Sequence, residues 1–365
     1  MSPNYAIQVG NLLENGKRQI VWAHSSGKRL VASQSDGEKL WEASVANNDK
    51  HGVTALLIAD VDNDGEIEVV VGEHPNAENN VLILNGKGEF KRRINLPAGK
   101  RDYANCAIDS FGLADINGDG FKELVVAVNG GYIYVLDQSG AVILKISGLP
   151  DFFEHFVHTG DLDGDGKDEI FVSAANLVGW ESPSNHNLFF ALDDDGRVMW
   201  VRSLREIGPD LHVDYAVVDA FDESNIPKLF TSTGGCMFDN EGRLLWHLRK
   251  VVNHGQWLSV GKASQARSGK QILISELWGY NHGMVLVNHD GEVLWTYDDI
   301  TEGAYPTHAH LIDWDGGGEL YAVLGEQPGP EQKKWPLKIV LVNNEGKEVL
   351  RVPFQDWRVP EWQYN

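Results

Sequence analysis

The stretch Ala59-Asp60-Val61-Asp62-Asn63-Asp64-Gly65 is followed at once by a β-rich run over 68–72. It returns as Ala114-Asp115-Ile116-Asn117-Gly118-Asp119-Gly120 and as Gly160-Asp161-Leu162-Asp163-Gly164-Asp165-Gly166. A shortened form, Asp313-Trp314-Asp315-Gly316-Gly317-Gly318, comes late in the chain. Self-similarity at a spacing of roughly 40–50 residues marks a propeller or a solenoid, where each repeat is one supersecondary unit. A second marker travels with the first: a turn that opens on Asp or Asn, closes on Gly and often leads to Trp. It occurs at Asp36-Gly37 with Trp41, Asn85 to Gly88, Asp137 to Gly140, Asp193 to Gly196 with Trp200, Asp239 to Gly242 with Trp246, Asn288 to Gly291 with Trp295, and Asn343 to Gly346. Seven occurrences predict seven blades.

Between the markers lie short β-rich runs such as 123–128, 169–173 and 271–275, and no long 3.6-period run is present. Each repeat therefore reads as strand A, Asp loop, strand B, variable loop, strand C, Gly turn, strand D. The predicted fold is all-β: one seven-bladed β-propeller over 1–365, built of four-stranded antiparallel blades with Asp-rich calcium loops. The blades are predicted near 5–44, 54–97, 110–148, 158–204, 214–250, 257–299 and 310–354. The tail 355–365, with Trp357 and Trp362, is expected to pack over the ring closure. Trp41, Trp200, Trp246 and Trp295 end strand D in register and read as blade-packing residues.

The chain of 365 residues has a formal net charge of -22, which argues against a nucleic-acid partner, because phosphate binding needs clustered Lys and Arg. Two cysteines in different repeats, Cys106 and Cys236, exclude a disulfide framework. No apolar run is long enough to span a membrane, and the first ten residues show no leader pattern. A cytosolic protein and a secreted one whose leader has been removed both remain open.

Carboxylates at alternate loop positions, a Gly for the sharp turn and a later Glu supply the oxygen ligands that calcium prefers. The expected sets are Asp60, Asp62, Asp64 and Glu68; Asp115, Asn117, Asp119 and Glu123; and Asp161, Asp163, Asp165 and Glu169. Blades one, five and six have lost the pattern. Asp, Asn and Gly also simply make good turns. The loop pattern resembles the FG-GAP or VCBS repeat of integrin α-subunit propellers and of many bacterial proteins. His254-Gly255-Gln256-Trp257 and the segment from Glu276 to Gly283 look more like the rhamnogalacturonan and related uronic-acid lyase propellers. That likeness implies a carbohydrate-active protein.

In a meander blade, the connections before strand A and between B and C lie on one face, and the Asp loops on the other. Eleven of the thirteen histidines fall on the first face: His51, His155, His158, His212, His254, His308 and His310 at or before a strand A, and His24, His74, His186 and His282 between B and C. His308-Ala309-His310, with His254, is a candidate site for a second, transition-metal ion, since His at i and i+2 of a strand point the same way. Arg101 and Tyr103 precede strand A of blade three. Trp180, Trp278 and Tyr280 lie toward the same face as flat platforms for sugar rings.

The expected function is a lyase that cleaves uronic-acid-containing oligo- or polysaccharide by β-elimination. Arg101 or a metal would neutralise the carboxylate, a neutral His among His212, His254 and His310 would take the proton, and Tyr103 or another His would protonate the leaving oxygen. His51, His158, Gln256, Trp180, Trp278 and Tyr280 would bind the substrate. The alternatives are a non-catalytic glycan- or protein-binding propeller, and a glycoside hydrolase or sugar dehydratase. Hydrolysis needs opposed carboxylates, for which Glu73, Asp109, Glu154, Asp214, Glu276 and Glu326 are candidates.

Overall fold

The computed structural model describes residues 7–13, 17–23, 28–45, 53–73, 79–96, 108–128, 131–149, 153–174, 188–203, 213–278, 283–302, 304–328 and 337–354. Of these, the side chains of 79, 153–156, 174, 277–278, 307–308, 327–328 and 354 lie outside the description. Within the described residues the chain is a seven-bladed β-propeller. Its strands, β1 to β28, run four to a blade: β1–β4 over 7–44, β5–β8 over 53–96, β9–β12 over 108–146, β13–β16 over 153–203, β17–β20 over 216–247, β21–β24 over 254–297 and β25–β28 over 304–354. Every sheet is a sequential antiparallel meander. The one helical turn among the described residues, Thr233–Gly235, replaces the B–C loop of blade five.

The chain divides into two compact units. Residues 1–161 with 165–203 hold blades one to four, and 162–164 with 204–365 hold blades five to seven. In each unit the core is layered between neighbouring sheets. Val125, Ile133 and Val135 of blade three pack with Val157, Ile170 and Val172 of blade four. Ile272, Ile274 and Val285 of blade six pack with Phe230 and Met237 of blade five. Strands B and C supply most of this layer, so they read as continuous apolar runs, such as β10 (Glu123–Val128), buried throughout. Each such side chain contributes about 1.5–3 kcal/mol by leaving water.

Trp41, Trp246 and Trp295, which end strand D, join one blade to the next. Trp41 Nε1 donates to the Gly86 carbonyl at 2.9 Å, and Trp295 Nε1 to that of Asn344 at 3.2 Å. The turn glycine that follows lies flat against the indole. A Cβ on Gly88 would fall 2.6 Å from Trp41, and one on Gly346 2.8 Å from Trp295; both glycines have φ near +80°. In blades two and three, whose strand D lacks the Trp, an isoleucine meets the glycine instead, Ile94 beneath Gly140 and Ile146 beneath Gly196.

Candidate functional site

Two regions carry the chemistry: the Asp loops between strands A and B, and the opposite ends of the same strands in blades five to seven.

In the loops, the late Glu of the motif does a backbone task. Glu68 Oε2 accepts from Val61 N at 3.0 Å, and Glu123 Oε2 from Ile116 N at 3.0 Å. Blades one and six, where the acidic pattern is gone, keep this bond with an amide. Leu13 N donates to Gln19 Oε1 at 3.2 Å and Ser264 N to Gln271 Oε1 at 3.1 Å. In these four blades the position keeps an acceptor oxygen, charged or not, whereas blade five places Lys228 there and blade seven Tyr321. Burial pushes the pKa of both Glu68 and Glu123 up.

The three acidic loops differ as cation sites. Oxygens of Asp161, Asp163 and Glu169 in blade four lie within 4.8 Å of one another, a hard donor set that suits a divalent cation. In blade three, Asp115 accepts from the Gly118, Asp119 and Gly120 amides, while Asn117 and Gln138 donate to Glu123. In blade two, Asp60, Asp62 and Glu68 also come within 4.8 Å of one another. There, however, Lys91 Nζ sits 2.9 Å from Asp62, 2.9 Å from Asp64 and 2.8 Å from Glu68. Burial alone would lower the pKa of Lys91, but its hydrogen bonds to Glu68, Asp64 and Asp62 outweigh that and raise it. Asp60 Oδ1 and Asp62 Oδ1 are buried without a donor.

At the other end, β21 (His254–Gly261) and the segment before β17 (Ala216–Asp219) meet. His254 Nε2 lies 2.9 Å from Asp214 Oδ2 and 3.1 Å from the side-chain nitrogen of Gln256. Asp214 is 1% exposed, so a buried carboxylate orients the imidazole. The pairing of β21 with β22 (Gln271–Trp278) matches Gly255 with Glu276 and Trp257 with Ser275, which leaves Gln256 as the extra residue of a bulge. A bulge re-aims the side chains beside it. A row of rings follows. Tyr215 and Trp257 have centroids 4.4 Å apart, and Trp257 meets His310 edge-on at 5.8 Å. His310, on β25 (Ala304–Ile312), keeps an edge open to solvent, yet the protein packed around it pushes its pKa below the usual 6.5.

Four of the carboxylates proposed for hydrolysis are engaged in the framework, although one oxygen of Glu276, Oε2, is buried without a hydrogen bond. Glu276, 1% exposed, accepts from Asn253 N at 2.7 Å. Glu326 accepts from Thr301 N at 2.8 Å, from the Thr301 hydroxyl at 2.6 Å and from Lys338 N at 3.2 Å. Arg93 forks onto Glu73 with both contacts at 3.1 Å. Asp214 is bonded to His254.

Comparison with known proteins follows the same division. The FG-GAP-like repeat profile matches residues 60–126 and 115–172. The chain carries FG-GAP-like repeats. No curated protein matches it in sequence. Among solved structures, BBS1N in complex with ARL6DN superposes with a TM-score of 0.58 at 13% identity, covering 94% of this chain and 90% of that one. BamB from Moraxella catarrhalis gives 0.56 at 16%, with 95% and 88% covered. Sqt1 from Saccharomyces cerevisiae gives 0.56 at 11%, with 96% of each covered. At such identities the likeness is one of fold. None of these findings carries the resemblance to polysaccharide lyases.

Of the residues expected to act, the structure brings His254, Gln256 and His310 to one region, around Trp257. His158 lies on β13 (Phe153–Gly160), in the other compact unit. His308 and Trp278 lie on strands, but their side chains are outside the description. Arg101, Tyr103, His51, Trp180, His212 and Tyr280 lie outside the described residues altogether. Sequence reasoning passed over Tyr215 and the role of Trp257. The signal was available: both stand at or just before strand A of successive blades.

Proposed function

We propose that the protein is a non-catalytic binding propeller whose ligand is a carbohydrate, held at the strand-A ends of blades five to seven. The observation that carries this reading is the row Tyr215, Trp257 and His310, with His254 and Gln256 beside it. Aromatic rings offer flat apolar faces to the C–H faces of a pyranose, and fixed imidazole and amide groups offer partners to its hydroxyls. The acids nearby are occupied in holding backbone and His254, which counts against a pair of opposed catalytic carboxylates. That a propeller of this fold serves as a docking platform is illustrated by BBS1N, which is in complex with ARL6DN.

The test is ligand-detected NMR against a panel of neutral and acidic oligosaccharides, with the wild type and Trp257→Ala. Losing one stacking ring is worth about 1.4 kcal/mol, or about tenfold in affinity. Absence of any glycan binding by folded wild type, or unchanged affinity in Trp257→Ala, would sink the reading. Binding of a protein in place of a glycan would redirect it.

His310 supports a second reading, the uronate lyase. An imidazole with an open edge, in the same row as the proposed sugar platform, supports a role as general base. Turnover of a uronic-acid glycan would show as ultraviolet absorbance of the unsaturated product. A rise that vanishes in His310→Gln would favour the enzyme; a flat trace with binding retained would leave the binding propeller.

A further inference from the structure

Every strand D begins with a bulge, and the bulged residue occupies the same register position in all seven blades. In blade one it is Leu40, between Lys39 and Trp41, which pair with Ser33 and Ala32. In blade three it is Ile143, and in blade four Met199. In blades five, six and seven it is Leu245, Leu294 and Val349. Six blades thus place an apolar side chain there. Blade two places Lys91, between Phe90 and Arg92, which pair with Leu84 and Ile83.

That one departure coincides with a full acidic loop. The Lys91 ammonium lies within hydrogen-bonding distance of Asp62, Asp64 and Glu68 together. Arg92 adds a second positive group, 3.4 Å from Asp62 Oδ2. Calcium takes 6–8 oxygens at 2.3–2.6 Å. A divalent ion bound to the oxygens that Lys91 already holds would stand almost upon the nitrogen, where two cations repel. What Lys91 leaves uncommitted, Asp60 Oδ1 and Asp62 Oδ1, is too small a set to hold such an ion. In blade four the corresponding residue is Met199, which brings no charge to Asp161, Asp163 and Glu169.

We propose that Lys91 is the resident cation of the blade-two loop, a covalently attached counter-ion that stands among the oxygens a metal would need, so that this loop binds no divalent ion. The consequence is a division of labour between loops that look alike in sequence: blade two closes on its own lysine, and blade four keeps an acidic cluster with no lysine at that position.

The experiment is calcium titration calorimetry on the full chain, with the thermal midpoint recorded in chelator and in calcium. In the wild-type background, Asp62→Asn leaves the calcium stoichiometry unchanged. Lys91→Met, which installs the blade-four residue, gains one calcium site and a midpoint that falls in chelator and recovers with calcium. Lys91→Arg, which keeps the charge, gains none. Loss of a calcium site in Asp62→Asn would overturn the proposal, and so would a Lys91→Met protein that gains neither a site nor calcium dependence. Should Lys91→Met fail to fold in chelator, the Asp62→Asn titration decides alone.

Discussion

Replacing Glu123 separates charge from hydrogen bonding in the Asp loops. Its Oε2 accepts from the Ile116 amide, and its Oε1 from Asn117 and Gln138. Glu123→Ala leaves the Ile116 N–H without an acceptor, which costs about 1–3 kcal/mol. It also removes one buried methylene, worth about 0.8 kcal/mol. Relief of the burial penalty on the carboxylate offsets part of this, so a net loss of about 2–3 kcal/mol is expected. Glu123→Gln keeps the acceptor and gains the same relief. Its amide nitrogen then faces Gln138, which can turn its own oxygen inward, and Asn117, whose oxygen is held by the Asp119 amide and whose 3.3 Å bond is lost. Blades one and six hold comparable amide pairs from the adjacent turn position, since the Gln19 amide donates to Gln34 at 3.3 Å and that of Gln271 to Asn288 at 3.2 Å. Glu123→Gln is therefore expected within about 1 kcal/mol of wild type. Urea denaturation followed by tryptophan fluorescence, at neutral pH with chelator present, measures both. If Glu123→Gln loses as much as Glu123→Ala, the loop needs the charge and not the acceptor, and the reasoning fails.

Two further outcomes follow from the titrating groups. Asp222 in the blade-five loop is held down to about 2, chiefly by Lys228 and then by Ser224. A carboxylate lowered in the fold stabilises it above the ordinary value of 3.8, and that contribution is lost as pH falls toward about 2. Asp222→Asn is expected to flatten the acid limb of the stability–pH curve in that window and to change nothing there if the Lys228 contact is not formed in solution. Cys236 is fully buried and its thiol is pushed up to about 12 by burial. In a Cys106→Ser protein it should resist a thiol reagent at neutral pH until denaturant is added; prompt labelling of the folded protein would contradict its placement.

The seven-bladed fold was legible because its turns are written in residue types that few other structures need in that order. Asp-x-Asp-x-Asp-Gly before an apolar strand and Asx-to-Gly before Trp recur at the pitch of one blade. The site was less legible, for a physical reason. Alternation along a strand says which face a side chain takes, but not what stands opposite on the next blade. Tyr215, Trp257 and His310 are separated by more than forty residues at each step and meet only through the blade pitch. Glu73, Glu276 and Glu326 looked like free acids near a wet face, whereas strand B ends there, backbone donors claim Glu276 and Glu326, and the Arg93 fork claims Glu73. Lys91 reads as an ordinary solvated lysine until its register is compared with the other blades.

The Trp at the end of strand D and the Gly turn before it look, in sequence, like one motif. In space each belongs to a different joint: between neighbouring blades within each unit the Gly receives the indole or isoleucine of the preceding blade, and Trp41 and Trp295 reach forward to the following one. A single repeat thus carries a socket and a plug. A gene segment copied in tandem would arrive with both halves, already matched to its parent on either side. Growth by duplication requires no invention at the new seam, and drift within a blade is tolerated so long as those two fittings survive.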